Sequence, residues 1–158
     1  MFVNERDIGT NCKIHEIILG KNFGANAIDF SQMFYAMPQL INVQFGENFA
    51  SCKTETINFQ AMFAEIPTLI SVDLSGLSEG GTYDITGMFM VQNSGTSLTT
   101  IVLPRKNVYI SGAVYAFAGL MKLTALDFSH CTFTSKSSDY EGMLTICYSL
   151  GEIVVGDS

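Results

Sequence analysis

Apolar residues recur along this chain with a period of 25 to 29 residues. Each period contains a run of the form L-x-x-[VIL]-x-[FL], in which most of the intervening residues are polar. The runs open at Ile14, Leu40, Leu69, Leu98, Leu123 and Leu150. The fourth and sixth positions of each run are two residues apart, as on one face of a β-strand. Such a period indicates a solenoid, in which each coil buries its apolar face against its neighbours.

A second apolar signal precedes each run. In most repeats a Phe stands six residues before the residue that opens the run, and another apolar residue stands directly before this Phe. These pairs are Met33-Phe34, Met62-Phe63, Met88-Phe89 and Ala116-Phe117, and Leu144 holds the Phe position in the last repeat. Phe89 is the exception, because it stands three residues further from the start of its run than the others do. The stretch 92–95, which looks like an insertion, can account for these three residues. We expect these side chains to be buried packing residues.

An Asp or Asn stands five residues before the Phe position in most repeats. These residues are Asp29, Asn58, Asp84 and Asp139, and each precedes an apolar residue. A side-chain oxygen there can accept a free amide of a first helical turn, which is typical of a helix N-cap. The pattern predicts one short helix per repeat, from about Phe30 to Met37 in the first. Pro38 and Pro67 would end the first two helices.

The predicted fold is therefore an α/β repeat solenoid of the leucine-rich-repeat kind. It has a parallel sheet on one face and short helical turns on the opposite face. We assign 1–13 to an N-terminal cap segment and 14–158 to a single solenoid domain. The predicted loops are Gly46–Thr56, Ser75–Thr82, Pro104–Asn107 and Ser129–Ser138. Val108–Ile110 is compatible with a second short strand.

Composition narrows the possible classes of protein. With 47% hydrophobic and 15% charged residues over 158 positions, the chain can bury a core and is not of the disordered type. The net charge of -7, with eight scattered basic residues, argues against nucleic-acid binding. We expect no membrane insertion, because the apolar stretches are short. The ends lack a secretory signal and an anchor, so we expect either a non-secreted protein or a fragment of a larger surface protein.

Residues with catalytic or metal-binding chemistry are few and scattered. Cys12, Cys52, Cys131 and Cys147 lack metal-ligand spacing, and the three possible disulfide pairings stay open. His15 and His130 belong to opposite ends of the solenoid and cannot share a metal ion. We therefore expect no catalytic residues, no cofactor and no metal, and we interpret the chain as a non-enzyme.

The exposed face of the predicted sheet is the candidate binding surface. It carries the positions between the inward residues of each run: Glu16, Ile18, Asn42, Gln44, Ser71, Asp73, Thr100, Val102, Ala125, Asp127, Glu152 and Val154. The alternative is an ordinary solvated sheet face, which is favoured because these positions carry no aromatic residue and no arginine. Asp73 and Asp127 occupy equivalent positions two repeats apart. We expect them to be repeat residues, not an acid–base pair.

The aligned repeats resemble the BspA-like leucine-rich repeats of bacterial surface proteins, of the type M-F-x-x-C-x-x-L-x-x-[IL]-D-[LF]-S. The resemblance is carried by Met62-Phe63 through Ser75, by Leu123 through Ser129, and by Met143 with Cys147 through Leu150. Ala116 and Leu144 depart from the pattern. The resemblance implies a curved solenoid with a parallel sheet and a role in attachment at the cell surface, without catalytic residues.

Two functions remain open at this point. The first is a non-enzymatic protein-binding or adhesion module of a bacterial surface protein, with a protein or matrix ligand. The second is a structural or assembly component, for example of a phage particle or another non-secreted complex. The last strand, Leu150–Val155, has no capping helix after it, and we predict either that the chain is truncated or that an association, such as self-association, covers this edge.

Overall fold

The computed structural model describes residues 12–92 and 95–156, and the chain forms a solenoid of parallel β-strands. The strands are β1 Glu16–Leu19, β2 Asn42–Phe45, β3 Thr56–Asn58, β4 Ser71–Asp73, β5 Thr82–Asp84, β6 Thr100–Val102, β7 Val108–Gly112, β8 Ala125–Phe128, β9 Cys131–Phe133 and β10 Glu152–Val155. Most of the predicted cap segment 1–13 lies outside the described residues.

The first sheet consists of the strands that the repeated run predicts. Its hydrogen-bonded order is β1-β2-β4-β6, and a separate parallel pair, β8-β10, follows. The register follows the repeat, since Ile17 pairs with Val43, and Val43 with Val72. The inward side chains of β2 and β4 are buried, whereas β10 at the far end is exposed throughout. The predicted solenoid with its parallel sheet is therefore confirmed.

A second parallel sheet occupies part of the sequence that we predicted to be loops. Its order is β3-β5-β7-β9. The prediction was wrong for β9, which lies wholly inside Ser129–Ser138, and the second strand at Val108–Ile110 is confirmed as part of β7. Three-residue strands such as Thr56–Asn58 carry one apolar residue between two polar ones, and this signal is too short to stand out from a loop.

The predicted helices are not formed, so the chain is a β-solenoid, and the prediction of an α/β solenoid of the leucine-rich-repeat kind was wrong in this respect. The segments that contain the Met-Phe pairs are successions of tight turns, and in the described residues the helical structure is the 3-10 helix Ser137–Tyr140. In the first segment Gln32 and Ala36 have φ of 54° and 53°, in the left-handed region. Helices are built from right-handed residues throughout, so two left-handed residues four positions apart break this geometry.

Hydrogen bonds between coils take the place of helical hydrogen bonds in these segments. The amides of Gln32 and Phe34 donate to the carbonyl oxygens of Gln60 and Met62 in the next coil, at 2.9 and 3.0 Å. The same pattern continues one coil further, where the amide of Phe63 donates to Met88 at 2.8 Å. The turns thus form a third ladder along the solenoid, which we call the turn ladder, and it satisfies amides that a helix would have bonded internally.

The Asp and Asn residues before these segments begin turns. A carboxylate oxygen of Asp29 accepts the amide of Ser31 at 2.9 Å, and Asn58 and Asp84 do the same for Gln60 and Thr86. A side chain that bonds an amide two residues on stabilises an Asx turn. The predicted acceptor role is therefore confirmed for these three residues, but the structure that follows each of them is a turn and not a helix. Asp139 instead accepts the amide of Lys136, three residues before it. Hydrogen bonds from Ser31 also hold the pKa of Asp29 below its ordinary value.

The core is organised around a column of stacked aromatic rings. Phe34, Phe63, Phe89 and Phe117 come from successive coils, with ring centroids 5.3, 5.3 and 5.7 Å apart and interplanar angles below 20°. All four side chains are buried. The Phe position of the repeat is thus a stacking position inside the solenoid, and it links each coil to the next.

Tyr83 places a hydroxyl inside this core. Its ring stacks on Phe59 at 5.2 Å, and its hydroxyl donates to the carbonyl oxygens of Ala50 at 3.2 Å and Ser78 at 3.3 Å. Burial raises the pKa of Tyr83 to about 12. The folded state therefore binds this proton more tightly than the unfolded chain, whose tyrosine has a pKa near 10.

The stability of the protein should consequently depend on Tyr83 at high pH. A raised folded pKa contributes stability that is complete below pH 10 and is lost as pH rises from 10 to 12, by about 2–3 kcal/mol. We expect wild type to exceed Tyr83→Phe in free energy of unfolding by about 1–2 kcal/mol at pH 8. Urea titrations of both proteins should show this difference shrinking above pH 10 and disappearing or changing sign by pH 12. A difference that stayed constant to pH 12 would contradict the buried position of the hydroxyl.

The C-terminal end of the solenoid exposes apolar side chains. Ile146, Tyr148, Ile153 and Val155 are 44, 79, 46 and 68% exposed. Within the described residues β10 pairs only with β8, so its other edge carries no strand.

None of the helices in this described part is long and apolar enough to cross a bilayer.

Candidate functional site: the outer face of the first sheet

The first sheet and the separate β8-β10 pair arrange the twelve candidate residues in two sets. Glu16, Asn42, Ser71 and Thr100 stand in register across β1, β2, β4 and β6, and the row of Ile18, Gln44, Asp73 and Val102 runs beside them. On β8 and β10, Ala125 is paired with Glu152, and Asp127 with Val154. The alternation of side chains along each strand accounts for these rows. The structure therefore brings together eight of the residues in one ladder and four in another.

Two shallow grooves cross this face. One has a volume of about 360 Å³ and is lined by residues of the four-strand ladder, among them Glu16, Gln44 and Asp73. The other has a volume of about 390 Å³ and lies where β6 faces β8, with Thr100, Asp127 and Glu152 in its lining. Nearly all of the predicted face residues line one groove or the other; Ile18, an exposed apolar side chain, lines neither.

The second groove coincides with an interruption of the sheet. No backbone ladder joins β6 to β8 in the described part of the chain, although β7 and β9 of the same coils remain paired. Cα atoms of β6 and β8 come within 8 Å of each other. A further strand between them would need a separation of about 9.6 Å. The interruption can therefore admit side chains or small groups, but not an inserted strand.

The face is acidic. Glu16, Asp73, Asp127 and Glu152 lie on it, and none of the twelve positions is occupied by Lys or Arg. The ion pair found among the described residues lies outside this face, between Lys21 and Glu47 at 3.0 Å. The hydrogen bond from Lys21 holds the pKa of Glu47 below its ordinary value. Because the face carboxylates lack such a cationic partner within the described ranges, this surface favours a positively charged ligand.

Two of these carboxylates also have structural roles. A carboxylate oxygen of Asp73 accepts the amide of Ser75 at 2.8 Å, and Asp127 accepts the amide of Ser129 at 2.9 Å together with its hydroxyl. The hydrogen bonds from Ser129 hold the pKa of Asp127 below its ordinary value. Each aspartate thus stabilises the turn that ends its strand, as expected for repeat residues.

The remaining candidate residues do not converge. His15 lies beside the carbonyl of Gln39 and His130 beside Asn107, in different coils. Within residues 12–92 and 95–156, no three His, Cys, Asp or Glu side chains lie close enough together to hold a metal ion. All four cysteines are free thiols. Burial raises the pKa of Cys131 to about 11 and also raises that of Cys147, so both thiols stay protonated near neutral pH.

The exposed tyrosines lie away from this face, and the sequence pattern alone did not single them out. Tyr109 is on the second sheet, Tyr115 on the turn ladder and Tyr148 in the last coil. A signal for Tyr115 exists in the aligned repeats, where the same turn position holds Gln32, Ala61 and Gly87. A tyrosine that replaces small or polar residues on an exposed position is a candidate contact residue.

No family model matches this chain, and no curated protein and no solved structure shows a significant similarity to it.

Proposed function

We propose that this chain is a non-enzymatic protein-binding module, of the adhesive kind that its resemblance to BspA-like surface repeats implies. Its ligand would be a basic segment of a protein or matrix component at the cell surface. The sheet face defined by the twelve candidate residues would be the contact surface. The acidic character of that face is the single observation that supports this proposal most strongly.

Shape and charge both support binding at this face. The two grooves lie side by side along the solenoid and present carboxylates of Glu16 and Asp73 in one, and of Asp127 and Glu152 in the other. Short polar side chains lie between them, and Ser71 donates a hydrogen bond to Asn42 at 2.8 Å. The paired strands fix the backbone positions of these residues before a ligand binds, which lowers the entropic cost of association.

The test is a charge reversal on the face. Glu16 and Glu152 are exposed, and neither carboxylate takes part in a hydrogen bond or ion pair among the described residues, so Glu16→Lys/Glu152→Lys should leave the fold intact. We expect wild type to bind purified extracellular-matrix proteins on a sensor surface, with affinity that falls as salt is raised. The double variant should lose this binding, and Glu55→Lys/Glu79→Lys, which reverses two exposed carboxylates outside the face, should retain it. Equal binding by all three proteins would contradict the proposal.

The alternative function is that of an assembly component, from an intracellular or virion setting. The exposed apolar residues of the last coil favour it, together with the edge of β10 that pairs with no strand in the described part of the chain, since such a patch invites association. Self-association through Leu150–Val155 would then cover it. Light scattering of wild type and of Ile153→Lys/Val155→Lys would decide, because only the wild type should associate. A monomeric wild type would contradict assembly through this edge.

A further inference from the structure

A third groove runs along the outside of the turn ladder, on a different side of the solenoid from the acidic face. It has a volume of about 320 Å³ and spans four coils, and we call it the turn groove. Its lining is Ser31, Gln32, Asn58, Gln60, Ala61, Thr86, Gly87, Met90, Val114 and Tyr115. This set contains amides, hydroxyls, small residues and one aromatic ring, and it contains no charged side chain.

Two amide side chains of this groove are held in fixed orientations by hydrogen bonds. The side-chain oxygen of Asn58 accepts the amide of Gln60 at 2.9 Å, so its NH2 group is left to donate. The side-chain nitrogen of Gln60 donates to a carboxylate oxygen of Asp84 at 2.8 Å, so its carbonyl oxygen is left to accept. Among the described residues the NH2 group of Asn58 and the side-chain carbonyl oxygen of Gln60 have no partner, so the groove presents a donor and an acceptor two residues apart in the chain. A hydroxyl group both donates and accepts, and it matches such a pair.

Tyr115 supplies a flat apolar surface at one end of the groove. Its side chain is 40% exposed and its backbone has φ of 52°. The ring lies over Gly142 of the next coil, where an added Cβ would overlap it. On the other side, a Cβ at Gly87 would meet no atom within 4 Å, which leaves open space in the groove. The ring is therefore supported from one side, while part of it remains accessible to a ligand.

We propose that the turn groove binds a short neutral oligosaccharide. The axial C–H groups of a sugar ring would pack on the ring of Tyr115, and its hydroxyls would bond to the amides of Asn58 and Gln60. An uncharged lining favours a neutral ligand over a phosphate or a charged peptide. Four coils at a spacing of about 4.8 Å give a groove about 14 Å long, which accommodates two or three linked sugar rings. This site is independent of the protein-binding face and does not rest on that function.

The experiment uses the intact chain, isotopically labelled for NMR, with maltotriose, cellotriose and triacetylchitotriose as separate probes. We expect at least one trisaccharide to produce saturable shifts of the side-chain amide signals of Asn58 and Gln60. Tyr115→Ala should weaken that binding at least about fivefold, because it removes the stacking surface. Tyr115→Phe should keep it. Tyr148→Ala removes an exposed tyrosine outside the groove and should have no effect.

The outcomes distinguish a saccharide site from a groove that binds peptides or binds no ligand. If Tyr115→Ala does not fold, Gln60→Ala provides the second variant, and it should weaken binding because the acceptor is lost. The proposal is overturned if none of the three trisaccharides gives saturable shifts. It is also overturned if the shifts persist at full strength in both variants, or if a neutral peptide rich in Ser and Gly competes as well as the sugar does.

Discussion

Phe63→Ala is expected to lower the free energy of unfolding by about 3–5 kcal/mol. Phe63 occupies the middle of the aromatic column, with Phe34 and Phe89 stacked on either side at 5.3 Å and Phe45 against its edge at 6.0 Å. Its side chain is 1% exposed. The substitution leaves a cavity that the turns around it cannot close, because their amides are bonded to the coils on both sides.

A loss of this size is a large share of the stability of an ordinary domain. In a solenoid each coil contacts only its neighbours, so a defect in the middle also weakens the coupling between the two ends. Chemical denaturation should therefore show a lower midpoint and a broader transition. Phe23→Ala is the control, since Phe23 is 41% exposed and should cost only about 1 kcal/mol. Equal losses for Phe63→Ala and Phe23→Ala would show that the column does not hold the coils together.

Gly119→Ala is expected to cost about 3–4 kcal/mol. Gly119 has φ of +85°, which disfavours any residue with a Cβ, and it is buried. An added Cβ would also overlap the carbonyl oxygen of Val91 in the preceding coil. Val91 is also hydrogen-bonded to the coil of Gly119, because its amide donates to the carbonyl oxygen of Ala118 at 3.1 Å. Neither backbone can move without breaking the turn ladder.

Gly87 provides a matched comparison for this substitution. Its φ is +60°, and a Cβ there would meet nothing within 4 Å. Gly87→Ala should therefore incur only the cost of the left-handed conformation, about 1–2 kcal/mol. Thermal unfolding of the two variants measures the difference. A larger loss at Gly87 than at Gly119 would mean that the coils are not stacked as described.

The sheet and its outer face are predictable from the sequence, because the run that begins at Leu40 or Leu69 repeats in one register. The twelve face residues follow from the alternation of side chains along those strands. Their acidity is also visible in the sequence. The interruption between β6 and β8 is not predictable, since it depends on backbone pairing and not on side-chain type. The groove at that interruption could therefore be found only in the structure.

The helix prediction rested on the Asp or Asn that precedes each apolar stretch, because such a residue is typical of a helix N-cap. The spacing of Phe30, Met33, Phe34 and Met37 is also compatible with one helix face. A succession of turns with a left-handed residue at every fourth position places the same side chains on one side. In the first two Met-Phe segments, small or polar residues hold those left-handed positions. In later coils Gly87, Gly119 and Gly142 hold some of them, and this pattern is the signal that separates turns from a helix.

The most direct test of the turn ladder compares two alanines of the same Met-Phe segment. Ala61 has φ of 52°, in the left-handed region, whereas Ala64 does not have a positive φ and is buried. In the turn ladder Ala61→Gly relieves left-handed strain and should raise the free energy of unfolding by up to about 1 kcal/mol. Ala64→Gly should lower it by about 1 kcal/mol or more. In a helix both substitutions would be destabilising by about 1 kcal/mol. Urea denaturation of the two variants beside wild type decides: opposite signs are predicted, and losses of equal size at both positions would contradict the turn ladder.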